Sequence, residues 1–375
     1  MYFIGEEEIK VLRKLFEKKQ FYRYRPGEKS ECDFFEEEFS KHTDSPHSLL
    51  LSSGTNALAV SLLAGGLAPG DEVLIPAYTF VATAAAVVHA GGIPVIVNID
   101  KNLSMDFEDA VKKLTTRTKA LILVHMDGLA ANVLEAQSFC SRNLLLFIED
   151  VAQAIGGQSE NKKLGTFGAF GCFSLNENKN ISCGEGGILI AKDRANYERA
   201  FCLHDGPAQF NPTKKDFFTQ ITPFLGLSMR VSEIQGAIMR VQLRRLEFIL
   251  TELKKRKLLL TAAVAGFSKA EVIAGYSAGE CNSSLHLQFV DLEVAAGTVR
   301  KLREIGLPIA PVTARPAHAS WKWSHLLGGN YPVSDYLQSV EILTRTYKSD
   351  INIHLSMSET EELAAKIKKV LATSF

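Results

Sequence analysis

Cysteine is sparse: Cys32, Cys140, Cys172, Cys183, Cys202 and Cys281 are scattered over 375 residues, with no CxxC pair and no zinc-finger spacing to histidines. This predicts reduced thiols in a cytoplasmic protein, and no metal site. Excess charge of either sign is missing, because 42 basic and 42 acidic side chains cancel. A chain so balanced offers no general field to a nucleic-acid backbone or an anionic membrane. Long apolar runs are missing too. The best window, Val81–Val97, is broken by His89, Gly91, Gly92 and Pro94, so no transmembrane helix is expected. The opening residues carry acids where a signal peptide would need an apolar core. GxxxxGK[ST] is absent, which leaves nucleotide-triphosphate chemistry unsupported. With 46% hydrophobic residues the chain has ample surface to bury, which excludes disorder as its dominant state.

The length predicts two domains, at ~100–200 residues each. After an amphipathic opening helix at Glu6–Lys19, short apolar strands alternate with helices of about ten residues. Strands are expected at Leu49–Ser52, Glu72–Ile75, Pro94–Val97, Ala120–Val124 and Leu144–Ile148, and helices at Asn56–Leu63, Thr79–His89, Met105–Leu114 and Val133–Ser141. This rhythm means βα units and a mostly parallel sheet. Two adjacent strands, Ala169–Leu175 and Gly187–Ala191, follow, then a helix at Arg194–Cys202 and a long one at Val231–Leu259. A smaller α+β unit closes the chain, with strands at His286–Val290 and Asp350–His354 and helices at Val294–Ile305 and Glu359–Leu371. The expected division is a large domain, 1–250, with an N-terminal segment 1–30, and a small domain, 251–375.

In open parallel sheets, ligands gather past the carboxyl ends of strands. Four segments at such places carry unusual chemistry. SSGTNAL (52–58) is either an ordinary helix cap or a set of free N–H groups that binds an anion. IEDVAQ (148–153) delivers two carboxylates at a strand end, either solvated or facing a cation. SLNENK (174–179) brings Lys179 close behind an apolar strand, where a desolvated amine with a depressed pKa attacks carbonyls. CGEGG (183–187) is a plain turn, or a place where the backbone must approach something closely. An anion site, a carboxylate for a ring cation, a lysine for an aldehyde and a glycine turn form the set that pyridoxal phosphate requires.

In order, SGTNAL, PAYTFVATA, IEDVAQAIGG, GCFSLNENKNISCGEGG and GLSMRVSEIQGA resemble the DegT/StrS-type sugar aminotransferases, fold-type I enzymes that use pyridoxal phosphate. The resemblance spans residues 20–245 motif by motif. It implies an α/β fold with a mostly parallel, seven-stranded-type sheet in the large domain. It implies Lys179 as the Schiff-base lysine and proton shuttle, Asp150 on the pyridine nitrogen, Gln153 near the phenolic oxygen and Phe80 stacked on the ring. Gly54, Thr55, Asn56 and Ser174 would hold the phosphate, and Ser228, where relatives commonly carry Asn, would reach the partner's phosphate from a homodimer with its active site at the interface. Asn176 stands where many relatives have histidine. The retained Lys179 favours transamination over the dehydration that lysine-to-histidine relatives perform.

The partners implied are a small-molecule amino donor, glutamate above all, and a sugar acceptor. That acceptor is either a nucleotide-linked keto sugar or an 8-oxo octulosonate-like sugar acid. FYRYR (21–25), LVHMDG (123–128) and ISCGEGG resemble the enzymes that make 8-amino-3,8-dideoxy-octulosonate, a context of lipopolysaccharide biosynthesis. Arg23 or Arg25 would then meet the substrate's carboxylate, or else serve a surface or interface segment. His125 and Arg230 are further substrate candidates, with His125 equally readable as a satisfied core histidine. The contrasting reading is a cofactor-binding regulatory or scaffold protein without turnover.

Overall fold

The computed structural model describes residues 3–214, 216–328 and 331–372; the first two and last three residues of the two expected domains lie outside these. Two helices lead, α1 (Glu6–Lys18) and α2 (Glu31–Thr43). The sheet is then built by β1 (His47–Leu51), α3 (Gly54–Ala64), β2 (Glu72–Pro76), α4 (Ala82–His89), β3 (Ile93–Val97), α5 (Phe107–Lys112), β4 (Thr118–Val124), α6 (Val133–Asn143) and β5 (Leu146–Asp150). A two-stranded ribbon, β6 (Gln158–Ser159) and β7 (Lys162–Lys163), precedes β8 (Phe170–Ser174), β9 (Gly187–Ala191) and α7 (Arg194–His204). The strand order is β1-β9-β8-β5-β4-β2-β3, and β9 alone runs against the others.

Successive side chains of a strand point to opposite faces, and both faces here are covered. Leu49 and Leu51 of β1, with Ala120, Ile122 and Val124 of β4, enter a core that includes residues of α3, α4 and α7. Leu50, Leu121 and Leu123 enter another with residues of α2, α6 and a later helix that includes Met239 and Leu246. The near-continuous apolar reading of these strands has that cause.

The 32-residue α8 (Glu233–Val264) runs through residue 250 without a break. Beyond it lie β10 (Ala270–Ile273), β11 (Ser284–Phe289), α9 (Leu292–Glu304), β12 (Ile309–Pro311), α10 (Ser324–Leu327), α11 (Leu337–Thr344), β13 (Thr346–Asp350) and α12 (Met357–Ala372). Their strands form a separate antiparallel sheet, β10-β11-β13-β12.

Two expected strands are displaced. Leu144 is the left-handed cap that ends α6, with φ 55°, so the chain is still turning there and β5 starts at Leu146. Asp350–His354 is not a strand: Ile351 and Ile353 alternate into the core, but the sheet pairing ends at Asp350. Helix α2 was not anticipated, although Ser30 accepts the Asp33 N–H and the Asp33 carboxylate answers the Ser30 N–H, a capping box.

Candidate active site

The carboxyl ends of β1, β5 and β8 open into a cleft of ≈ 500 Å³, whose far wall comes from β11–β13 and the segment around residue 315. At one end lies the start of α3. Ser53, in extended backbone, accepts the Asn56 N–H at 3.1 Å, while Gly54 and Thr55 line the cleft with first-turn N–H groups that have no intrahelical partner. Asn56 itself does not line the cleft: its N–H is spent on Ser53 and its side-chain amide on Ser52 Oγ at 2.8 Å. Its expected place on a phosphate is corrected accordingly. Ser174, at the end of β8, lies beside Gly54.

The glycine run explains itself here. Gly184 sits at φ +87°, and a Cβ on Gly187 would come within 2.3 Å of the Ser53 carbonyl carbon. Both readings of CGEGG, the turn and the close approach, are realised. The close approach lets β9 support the start of α3.

The two carboxylates of β5 part company by strand alternation. Asp150 turns into the cleft, where Thr83 Oγ1 donates to it at 2.9 Å and the Ala152 N–H at 3.1 Å. Glu149 turns away and is structural: it accepts the N–H groups of Gly165, Phe167 and Gly168 and meets His125 Nε2 at 3.2 Å. His125 is wholly buried, its Nδ1 accepting the Ala131 N–H; it is a satisfied core histidine, which corrects its candidacy for substrate. Asp150 has no salt bridge among the described residues, and burial raises its pKa against the lowering effects of Ala152, Thr83, Lys179 and His125.

Lys179 lies in the loop between β8 and β9. Its amine lines the cleft with no hydrogen-bond or ion-pair partner among the described residues. Burial pushes its pKa down, Asp150 and Asp127 oppose the shift, and Lys348 and Arg315 add to it. A lysine so placed carries more of the nucleophilic free amine than one in water. Gln153 Oε1 accepts the Asp127 N–H at 3.0 Å, which pins the amide and leaves its NH₂ for a cleft acceptor. Phe80 is 45% exposed at the cleft, with the His318 ring edge-on at 5.7 Å, so part of its ring is free to receive a flat group. Asn176 also lines the cleft and donates to Glu185 at 3.1 Å.

The remaining candidates lie elsewhere. Arg23 is 2% exposed, its Nη2 paired with Glu36 at 2.8 Å and Asp33 at 3.3 Å while Nε and Nη1 are buried without a partner among the described residues, and it does not line this cleft. Arg25 lines a separate groove. Arg230 pairs with Asp205 at 2.5 Å and lies over the Tyr22 ring, while Ser228 is exposed and bridges to Asp205; neither lines this cleft.

Sequence reasoning missed the far wall. Asp127, just past β4, accepts from Tyr78 OH and pairs with Lys348 of β13, with His286 Nε2 at 3.4 Å. Burial alone would raise its pKa, yet Lys348 and His286 hold it well below the usual carboxylate range. Thr83, Arg315 and His318 were missed as well. Thr83 lies inside the quoted TFVATA, and Asp127 inside LVHMDG, so both had a local signal. Residues of the small domain had none.

A family model described as the DegT/DnrJ/EryC1/StrS aminotransferase family matches residues 3–367. GDP-perosamine synthase of Vibrio cholerae is 38% identical over 160 residues, which cover 42% of this chain and 44%, less than half, of that protein. A UDP-N-acetyl-3-dehydro-alpha-D-glucosamine 3-aminotransferase of Acidithiobacillus ferrooxidans is 30% identical over 295 residues, 78% of this chain and 76% of that one. Among solved structures, 3-amino-5-hydroxybenzoic acid synthase superposes with a TM-score of 0.84 over 99% of this chain and 98% of its own, at 24% identity. That last likeness is one of fold, and the expected α/β architecture with a mostly parallel sheet and a separate small domain is the one found.

Proposed function

The chain belongs to the DegT/DnrJ/EryC1/StrS aminotransferase family, and on that premise we propose a pyridoxal-phosphate-dependent aminotransferase that moves an amino group from an amino acid, glutamate above all, onto a keto or aldehyde sugar. The observation that carries this reading is the pairing of an uncommitted amine, Lys179, with a buried carboxylate, Asp150, that lacks a cation of its own among the described residues. The chain's groups fit the cofactor from end to end. First-turn N–H groups of α3 and Ser174 suit its phosphate, Asp150 its ring nitrogen, the Gln153 amide its phenolic oxygen, and Phe80 its ring face. When bound, pyridoxal phosphate supplies an aldehyde to carry the amino group and a protonated ring to accept electrons.

The chain's own residues do the rest. Lys179 acts as nucleophile and then carries a proton from the donor's α-carbon, a task suited to a depressed pKa. Asp150, oriented by Thr83 and the Ala152 N–H, keeps a negative charge where the ring's positive charge must persist. The acceptor is a nucleotide-linked keto sugar or an octulosonate-like sugar acid, made in the cytoplasm toward a surface polysaccharide such as lipopolysaccharide. Two copies assemble with the site at their interface, a reading supported by the exposed Leu225 (86%) and Leu227 (65%) beside Ser228. Light scattering checks it: a mass near twice 41.2 kDa is expected, and a monomer at working concentration overturns it.

The main test is the absorption spectrum with pyridoxal phosphate before and after glutamate. Bleaching of the yellow form is expected, with return of colour on adding a competent keto sugar. Lys179→Ala should bind cofactor yet show neither change nor turnover, and appreciable activity in that variant overturns the assignment. A bound cofactor that no amino donor changes would favour the regulatory reading.

A further inference from the structure

Every substrate of the proposed reaction that donates an amino group carries a carboxylate, and acceptors of the sugar-acid class carry one too. Among the described residues four basic side chains line the cleft: Lys179, Arg315, His318 and Lys348. Three are unavailable to such an anion. Lys179 is reserved for the carbonyl chemistry. Lys348 is committed to Asp127 and, at 3.4 Å, to Asp350. His318 is buried and its pKa is pushed by burial down to about 4, so its ring is neutral near pH 7. The Arg315 guanidinium has no hydrogen-bond or ion-pair partner among the described residues, and it lies close enough to Lys179 and His318 to repel a proton from each.

The backbone that carries Arg315 is anchored. His318 N–H donates to the Arg315 carbonyl at 3.0 Å, Trp323 Nε1 to the Pro316 carbonyl at 3.0 Å, and Val81 N–H to the Ala317 carbonyl at 2.8 Å. That last contact ties the segment to the turn that holds Phe80. A fixed base with an unspent, planar, always-charged fork suits bidentate capture of a carboxylate. It also takes the place expected of Arg23 and Arg25, which the fold directs to the core and to another groove.

We infer that Arg315 is the carboxylate-binding residue of the cleft, the group that selects anionic substrates. The inference rests on the aminotransferase reading above. The carboxylate comes from the amino donor or from a sugar-acid acceptor, and the two sources separate experimentally. Glutarate, a dicarboxylate without an amine, and gluconate, a sugar carboxylate, are titrated calorimetrically into the full chain, with and without cofactor. Wild type, R315Q and R315K are compared. Wild type should bind at least one ligand, and R315Q should weaken that binding by about tenfold to a hundredfold, the loss of a charged hydrogen-bonded contact. R315K should recover part of it.

Loss confined to glutarate assigns Arg315 to the donor, loss confined to gluconate to the acceptor, and loss of both to a shared site. Unchanged affinity in R315Q, or no binding of either ligand by wild type, overturns the inference. R315Q should keep the wild-type Tm and the yellow colour of the loaded chain, which excludes misfolding as the cause. Because the titration also runs without cofactor, a chain that never takes up pyridoxal phosphate would defeat the proposed function while the Arg315 result still stood.

Discussion

Asp150 is the residue on which fold and chemistry pull in opposite directions. A buried carboxylate without a cation is costly, and burial accordingly raises its pKa. Replacing it with Asn removes that cost, so D150N should melt at the wild-type temperature or above it when free of cofactor. The same variant should still take up pyridoxal phosphate through α3 and Lys179, but the glutamate half-reaction should slow on the order of 10²–10³-fold, the range for losing one preorganised electrostatic group. Rapid-mixing absorbance checks the rate and calorimetry the Tm; a normal rate in D150N would remove Asp150 from the mechanism. Its neighbour Glu149 shows why adjacency in sequence says little about role. One step along a strand reverses the face, and Glu149 is spent on three backbone N–H groups of the 165–168 turn.

At the scale of elements, the anion site is a product of two segments pressed together. Strand β9 passes so close to the Ser53–Gly54 backbone that a Cβ at Gly187 would sit 2.3 Å from both the Ser53 carbonyl carbon and its oxygen and 2.5 Å from the Gly54 nitrogen. None of the three is a flexible side-chain end, so the start of α3 must move. Gly187→Ala should cost about 1–3 kcal/mol, the usual range for overpacking, read as a lower denaturant midpoint. It should also weaken cofactor binding, read by titrating the yellow colour, because the helix N-terminus is displaced from Ser174. Loss of stability with unchanged cofactor affinity would show that the site does not depend on this contact. Elements also explain the misplaced strand ends. Leu144 and Leu145 are as apolar as a strand requires, but helix α6 closes with a left-handed residue at Leu144, 92% exposed, and the ladder cannot begin until that turn is complete.

At the scale of the whole molecule, the cleft exists because the small domain closes over the sheet. Lys348 of β13 and Asp127 beyond β4 bridge the two, and His318 is buried between the Tyr78 and Phe80 rings, edge-on at 6.4 Å and 5.7 Å. Burial holds His318 neutral, its pKa pushed down to about 4. The unfolded chain takes up a proton there near pH 6.5, at the ordinary histidine value. Between about pH 6.5 and 4 the unfolded state therefore binds more protons, and stability falls as the pH is lowered, by at most about 1.4 kcal/mol per pH unit from this one group. Denaturant unfolding across that range should show the decline. His318→Gln should flatten it, and an unaltered slope in that variant would assign the acid sensitivity to other groups.

How much of this was legible beforehand depends on the range of the interaction that decides it. Strand and helix periodicity act within a few residues, so the βα rhythm, the mostly parallel sheet and the cleft at its carboxyl edge could be read from the chain alone. So could the positions of Ser53–Thr55, Asp150, Gln153 and Lys179, because each lies at the carboxyl end of a strand or within a few residues past it, and a strand end in such a sheet faces the cleft. The far wall could not. Asp127 and Lys348 are 221 residues apart, and Arg315 sits in a segment of short 3₁₀ turns that no periodicity marks. The same limit sent Arg23 astray, since its burial depends on α2 bringing Asp33 and Glu36 beneath it. Local pattern determined which groups stand at the sheet's edge, and only the packing of distant segments decided what faces them.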